Sequence, residues 1–162
     1  MYYVIDYCPG GELFFHLKKQ GRFDEGLAKF FAAQILLAID ELHRKNIIYR
    51  DLKPENVLID NDCYIKITDF GLSIDNNSSK EEEHSMAGTP EYVSTEVLIG
   101  VANNKPIDWW AFGCLIYEML TGIPPFYSKD KKILFSSILF SEPKYPKYIS
   151  LTAKDLISVN LI

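Results

Sequence analysis

The chain has 162 residues, a length that fits one domain, and its 48% hydrophobic and 24% charged residues describe a globular protein rather than a disordered or collagen-like one. Seventeen basic against 22 acidic side chains leave a net charge of -5, which argues against a nucleic-acid surface or a membrane anchor and suits a cationic peptide partner. Cys8, Cys63 and Cys114 are odd in number and widely spaced and no run of 18 apolar residues occurs, so a disulfide framework, a zinc site and a membrane span are not indicated and a reducing, cytoplasmic setting is expected.

Tyr2 to Tyr7 reads as a strand with no charged segment before it, so no secretory leader is expected. Pro9-Gly10-Gly11 breaks that strand, and Glu12 to Lys19 has helical character with Leu13, Phe14 and Leu17 on one side. Asp24 is a good N-cap for a helix over Glu25 to Arg44, in which Leu27, Phe31, Ile35, Ala38, Ile39 and Leu42 recur every three or four residues. Asn56 to Ile59 and Tyr64 to Thr68, joined by Asp60-Asn61-Asp62-Cys63, predict a hairpin. The polar stretch Asp75 to His84 reads as a surface loop. Asp108 to Leu120 is apolar enough for a buried helix and stops at Thr121-Gly122, with Pro124-Pro125 beyond. Helical stretches near Ile133 to Leu139 and Thr152 to Asn160 close a chain without internal repeats.

The run Tyr49-Arg50-Asp51-Leu52-Lys53-Pro54-Glu55-Asn56 lies just before the hairpin, and Asp69-Phe70-Gly71 just after it. A hairpin brings its two ends together and so sets Asn56 beside Asp69. An amide and a carboxylate there suit magnesium, which takes oxygen ligands and uses few protein groups plus substrate phosphates. Asp51 lies close by as a candidate base. For a lone Asp or Asn the alternative is a solvated loop charge or a turn-forming side chain.

These motifs in order, followed by Gly88-Thr89-Pro90-Glu91-Tyr92 and Glu96, resemble the signature set of eukaryotic protein kinases. Tyr49 before Arg50-Asp51, Gly10-Gly11-Glu12-Leu13, and Asp108-Trp109-Trp110 resemble the AGC group, and Lys53-Pro54-Glu55 resembles its serine/threonine type. The resemblance implies an α+β, protein-kinase-like fold: a mostly helical large C-terminal lobe over residues 1–162, with a small β-hairpin, an activation segment at 69–96 and a buried helix at 108–120. It implies transfer of the γ-phosphoryl group of ATP to protein Ser/Thr hydroxyls. In it Asp51 orients the hydroxyl and takes its proton, Lys53 faces the transferred phosphate, and Asn56 and Asp69 hold Mg2+.

By the same resemblance Asp6, Tyr7 and Cys8 belong to the hinge against adenine, with Leu58, Leu13 and Val57 at the pocket floor, although apolar strand residues are core by default. Ser85 takes the place of an activation-loop phosphosite for an upstream kinase, with Arg50 as its partner, unless it is one more loop serine like Ser78 or Ser79. Thr89 resembles the threonine that bonds the catalytic loop. Glu12, Glu55 and Glu118 resemble carboxylates that receive substrate arginines, Glu12 also reaching the ribose; the alternative for Glu118 is a solvated helix charge. Asp108 is expected to hold the catalytic-loop backbone, Trp109, Trp110, Phe112, Leu115, Ile116 and Met119 to be core, and His16, His43 and His84 to carry no chemistry.

Against the family pattern the chain is expected to lack the N-terminal lobe, with its glycine-rich loop and phosphate-holding lysine, and so to read as truncated with apolar surfaces exposed. Ser94-Thr95-Glu96 stands where Ala-Pro-Glu is usual, and Ile74 where a basic residue is common. A noncatalytic, kinase-like binding module is the alternative reading.

Overall fold

The computed structural model describes residues 6–75, 88–101 and 104–161. Gly11–Glu12 form a two-residue strand, β1, and Leu13–Gln20 the first helix, α1. The helix starts one residue later than its apolar pattern suggests because Glu12 is used in the sheet, where it faces Leu58. Helix α2 spans Glu25–Arg44, the bounds expected, and the Asp24 carboxylate caps it by accepting the Leu27 amide at 2.8 Å. Its buried face is Ala28, Phe31, Ala32, Ile35, Ile39 and His43. Leu27, Ala38 and Leu42 of the expected stripe lie half-buried at its margins.

The expected hairpin is β3, Val57–Ile59, and β4, Ile65–Ile67, paired Val57 to Ile67 and Ile59 to Ile65. It joins β1 in an antiparallel sheet of order β1-β3-β4. Gln34 on α2 seats the hairpin by accepting the Ile65 amide at 3.0 Å. A second ribbon pairs β2, Ile47–Ile48, with β5, Ile74–Asp75, and so ties the start of the catalytic loop to the segment after Asp69-Phe70-Gly71. The polar stretch 76–84 and Ser85 lie outside the described residues.

After the short α3, Thr95–Leu98, comes α4, Pro106–Thr121, around which the other helices gather. Every residue from Trp110 to Leu120 is buried, so α4 has no solvent face and is a true core helix. It packs against α2 on one side and against α6, Leu151–Asn160, on another. Helix α5, Lys131–Phe140, is capped by Asp130 and buries Leu134 and Ile138. An apolar groove of about 640 Å³ runs between α2, α4 and α6, lined by Ala32, Leu36, Phe112, Ile116 and Leu156.

Two glycines set how closely α4 is approached. Gly122, at φ 85°, ends the helix in the left-handed conformation, and a Cβ there would stand 2.0 Å from the Gly21 carbonyl oxygen. Gly113 faces α6, and its Cβ would stand 2.8 Å from Cβ of Asn160. Chemical denaturation should show Gly122→Ala losing about 2 kcal/mol or more, since backbone conformation and contact are both unfavourable. Gly113→Ala should lose about 1–3 kcal/mol by forcing α6 away, despite alanine's better helix propensity; a neutral or stabilising result would show that the α4–α6 contact is slack.

Candidate active site

The site is built on the loop between β2 and β3. Its first residue, Tyr49, is fully buried, and its second, Arg50, has a left-handed backbone at φ 68° that costs a non-glycine residue energy. Asp108, on the first turn of α4 and fully buried, holds this bend: Oδ2 accepts the Tyr49 amide at 2.9 Å and Oδ1 the Arg50 amide at 2.8 Å. His43, on the last turn of α2, points Nε2 at the same carboxylate at 2.8 Å. A carboxylate only accepts, so Nε2 carries the hydrogen. The expectation for Asp108 is met, while His43, read from the sequence as having no role, is part of the same support. The edge of its ring stands against Trp109, with centroids 5.3 Å apart.

Tyr49 also fastens the loop to the far flank of the hairpin. Its hydroxyl donates to the Thr68 carbonyl and its ring meets Phe70 edge-on at 5.4 Å. Burial, with the nearby carboxylates of Asp51, Asp69 and Asp108 adding to it, pushes the phenol well above its ordinary pKa, so it stays a donor at any physiological pH. Arg50 Nε donates to the Leu72 carbonyl at 2.7 Å, and Ser73 Oγ to the Tyr49 carbonyl at 3.2 Å.

Asp51 is buried, and three side chains converge on it. Lys53 Nζ lies 2.8 Å from Oδ2, Asn56 Nδ2 donates to Oδ2 and to the Asp51 carbonyl at 2.9 Å each, and Thr89 Oγ1 donates to Oδ1 at 3.1 Å. Lys53 Nζ also reaches Thr89 Oγ1 at 3.1 Å. Thr89 thereby joins the segment after residue 88 to the loop that carries Asp51. Gly88 is required at this contact: a Cβ would stand 2.9 Å from the Arg50 carbonyl oxygen, and its φ is 109°.

Asn56 and Asp69 flank the hairpin, and the Thr68 amide bonds the Asn56 carbonyl at 3.0 Å, which sets their main chains side by side. The Asn56 side chain meets Asp51 through its nitrogen at both contacts, and its amide oxygen is the group it could offer a cation. Asp69 is exposed at φ 60°, with Oδ1 accepting the Gly71 amide at 3.2 Å. Two oxygen donors of this kind fit a hard cation that completes its shell with water and phosphate. Among the described residues no group of three His, Cys, Asp or Glu side chains could hold a metal by itself.

The remaining candidates are spread around this centre. Glu118 is buried on α4 and accepts a hydrogen bond from the Tyr92 hydroxyl, so the solvated-charge alternative fails. Burial raises its pKa above the usual carboxylate value, Tyr92 opposes that shift, and Glu55 and Glu91 add to it. Glu55 is exposed in a 3-10 turn, Pro54–Asn56, and Glu12 is exposed on β1 opposite half-buried Leu58. Leu13 and Val57 are fully buried core residues. Of the residues expected against adenine, Asp6 pairs with Lys66 at 3.0 Å, Tyr7 is exposed and Cys8 is half-buried. Tyr92 and His43 were missed in the sequence because each acts through a partner distant in the chain.

Comparison with known proteins supplies the family. The family description "Protein kinase domain" matches residues 1–161. The chain is 50% identical over 157 residues to "Protein kinase 2" of Dictyostelium discoideum, covering 97% of this chain and 33% of that protein. It is 44% identical over 157 residues to "Serine/threonine-protein kinase YPK1" of Saccharomyces cerevisiae, covering 97% and 23%. With the "cAMP-dependent protein kinase catalytic subunit" of Dictyostelium discoideum the figures are 46% over 157 residues, 97% and 24%. The chain thus spans a third or less of the length of these relatives. A chain that matches that description almost end to end belongs to the protein kinase family, among relatives of the AGC serine/threonine type.

Proposed function

We propose that residues 1–162 are the large lobe of a cytoplasmic serine/threonine protein kinase that transfers the γ-phosphoryl group of ATP to protein hydroxyls. The convergence of Lys53, Asn56 and Thr89 on the Asp51 carboxylate is the observation that carries the reading. Phosphoryl transfer demands positioning and charge neutralisation more than covalent chemistry, and this cluster supplies both. Asp51 orients the substrate hydroxyl and takes its proton. Lys53, already paired with Asp51, is placed to balance negative charge on the transferring oxygens. Asn56 and Asp69 would hold magnesium, which when bound neutralises phosphate charge. Asp6, Tyr7, Cys8 and Leu58 take the adenine side, and Glu12 the ribose. The free thiols of Cys8, Cys63 and Cys114 suit a reducing compartment.

The activation segment is residues 69–96, with Ser85 as the site of an upstream kinase. A phosphoserine adds about -1.5 to -2 charge and three acceptor oxygens, a match for the guanidinium of Arg50 beside Asp51. The substrate is basic: Glu12, Glu55 and Glu118 accept arginines upstream of the phosphorylated residue. What supports this is the burial of Glu118 near the carboxylates of Glu55 and Glu91, which together make its ionisation costly until a cation arrives.

Asp69→Ala in the intact protein should abolish a magnesium-dependent thermal shift with ATP and lower phosphoryl transfer by about 100-fold or more. A magnesium–ATP shift that survives this change would remove Asp69 from the metal site. Glu118→Gln should lower kcat/KM on an arginine-containing serine peptide about tenfold or more, as expected for a lost charge-assisted hydrogen bond, with little change on a peptide whose arginines are alanine. Stability supplies a second readout. The folded pKa of Glu118 is raised, so its contribution is fully present below the unfolded value of 4.5 and is lost as pH rises through the folded value. The melting temperature of Glu118→Gln relative to the native protein should therefore climb as pH rises from 4 through the folded pKa; a constant difference would contradict the burial argument.

A further inference from the structure

Between the activation segment and the catalytic loop lies a small cavity of about 20 Å³, walled by Arg50, Asp51, Gly88, Thr89 and Ser94 with Val97 and Ala111 behind them. Ser94 is 1% exposed, and its Oγ meets no hydrogen-bond partner among the described residues. It precedes α3 but does not cap it. A buried hydroxyl offers one donor and two acceptor positions, and native proteins rarely leave all of them unused. The neighbouring carboxylate is already committed: Asp51 accepts from Thr89 on one oxygen and from Lys53 and Asn56 on the other.

We infer that this cavity is a binding site for a single structural water, held by Ser94 Oγ and by polar groups of the catalytic loop. The volume decides the stoichiometry. One water needs roughly 10–15 Å³ of such space and two to four polar partners; about 20 Å³ admits one. An apolar cavity of this size would stay dry, but this one has a buried hydroxyl on one wall and Arg50, Asp51, Gly88 and Thr89 among the residues of the others. The close approach of Gly88 to the Arg50 carbonyl keeps the two segments near enough for one molecule to touch both. The site depends on serine at position 94. An alanine there would remove the polar group that anchors the water on the activation-segment side, so the water adds a hydrogen-bonded link beside the Thr89 bridge.

The test is a crystal structure of the intact protein at a resolution that shows ordered water, together with one of Ser94→Ala. The site predicts one well-ordered water within 3.2 Å of Ser94 Oγ that also contacts the loop 50–51 or Gly88, and its loss or marked reduction in occupancy in the variant. A dry cavity in the native crystal, a Ser94 hydroxyl bonded directly to a protein carbonyl, or the same water at full occupancy in Ser94→Ala would each overturn it. The native crystal decides the first two points, so a variant that fails to fold would not shelter the inference. No catalytic readout enters, and the outcome is independent of whether the chain transfers phosphate.

Discussion

The carboxylate of Asp108 is the constraint on which the site depends. It sits at zero exposure in the first turn of the most buried helix, where an uncompensated charge would be costly. Three donors compensate it: the amides of Tyr49 and Arg50 and the Nε2–H of His43. The same bonds satisfy two amides that no strand or helix ladder uses, and they hold Arg50 in a left-handed bend that an unsupported chain would leave. The core helix thus fixes the main chain immediately before Asp51. Removing one partner from such a buried set leaves the others unpaired, at a cost of about 1–3 kcal/mol for each group.

From that bend the remaining contacts follow outward. Tyr49, pinned by its amide, carries its hydroxyl to Thr68 and its ring to Phe70, so the flank bearing Asp69 takes its position from α4 through one side chain. Asn56 turns its nitrogen back to Asp51 and faces its oxygen elsewhere. Thr89 closes the set from the activation segment. A second tie between α4 and that segment is the Tyr92–Glu118 hydrogen bond, in which a buried acid keeps an aromatic anchor in place.

Much of this was legible in the sequence, for identifiable reasons. Helix α2 was bounded correctly because a capping Asp24 and a basic last turn mark its ends, and the hairpin because β-rich runs flank a polar turn. The motif order placed Asp51, Asn56 and Asp69 in one family pattern, and the structure sets the flanks of the hairpin together. What escaped was what depends on partners far along the chain. The β2–β5 ribbon is two residues long on each side and stabilised by main-chain bonds, so no side-chain pattern announces it. His43 looked like an ordinary helix residue because Asp108 is 65 positions away. Glu118 was open to reading as a surface charge, although the signal was present: a helix apolar on every side has no solvent face to offer it.

Amide hydrogen exchange on Asp108→Asn tests this account most directly. If the carboxylate organises the catalytic loop, the amides of Tyr49 and Arg50 should exchange about tenfold faster or more, while those in the middle of α2 and α4 keep their protection. Unchanged protection at Tyr49 and Arg50, with the helices equally intact, would show that the loop holds its bend without Asp108 and would contradict the account.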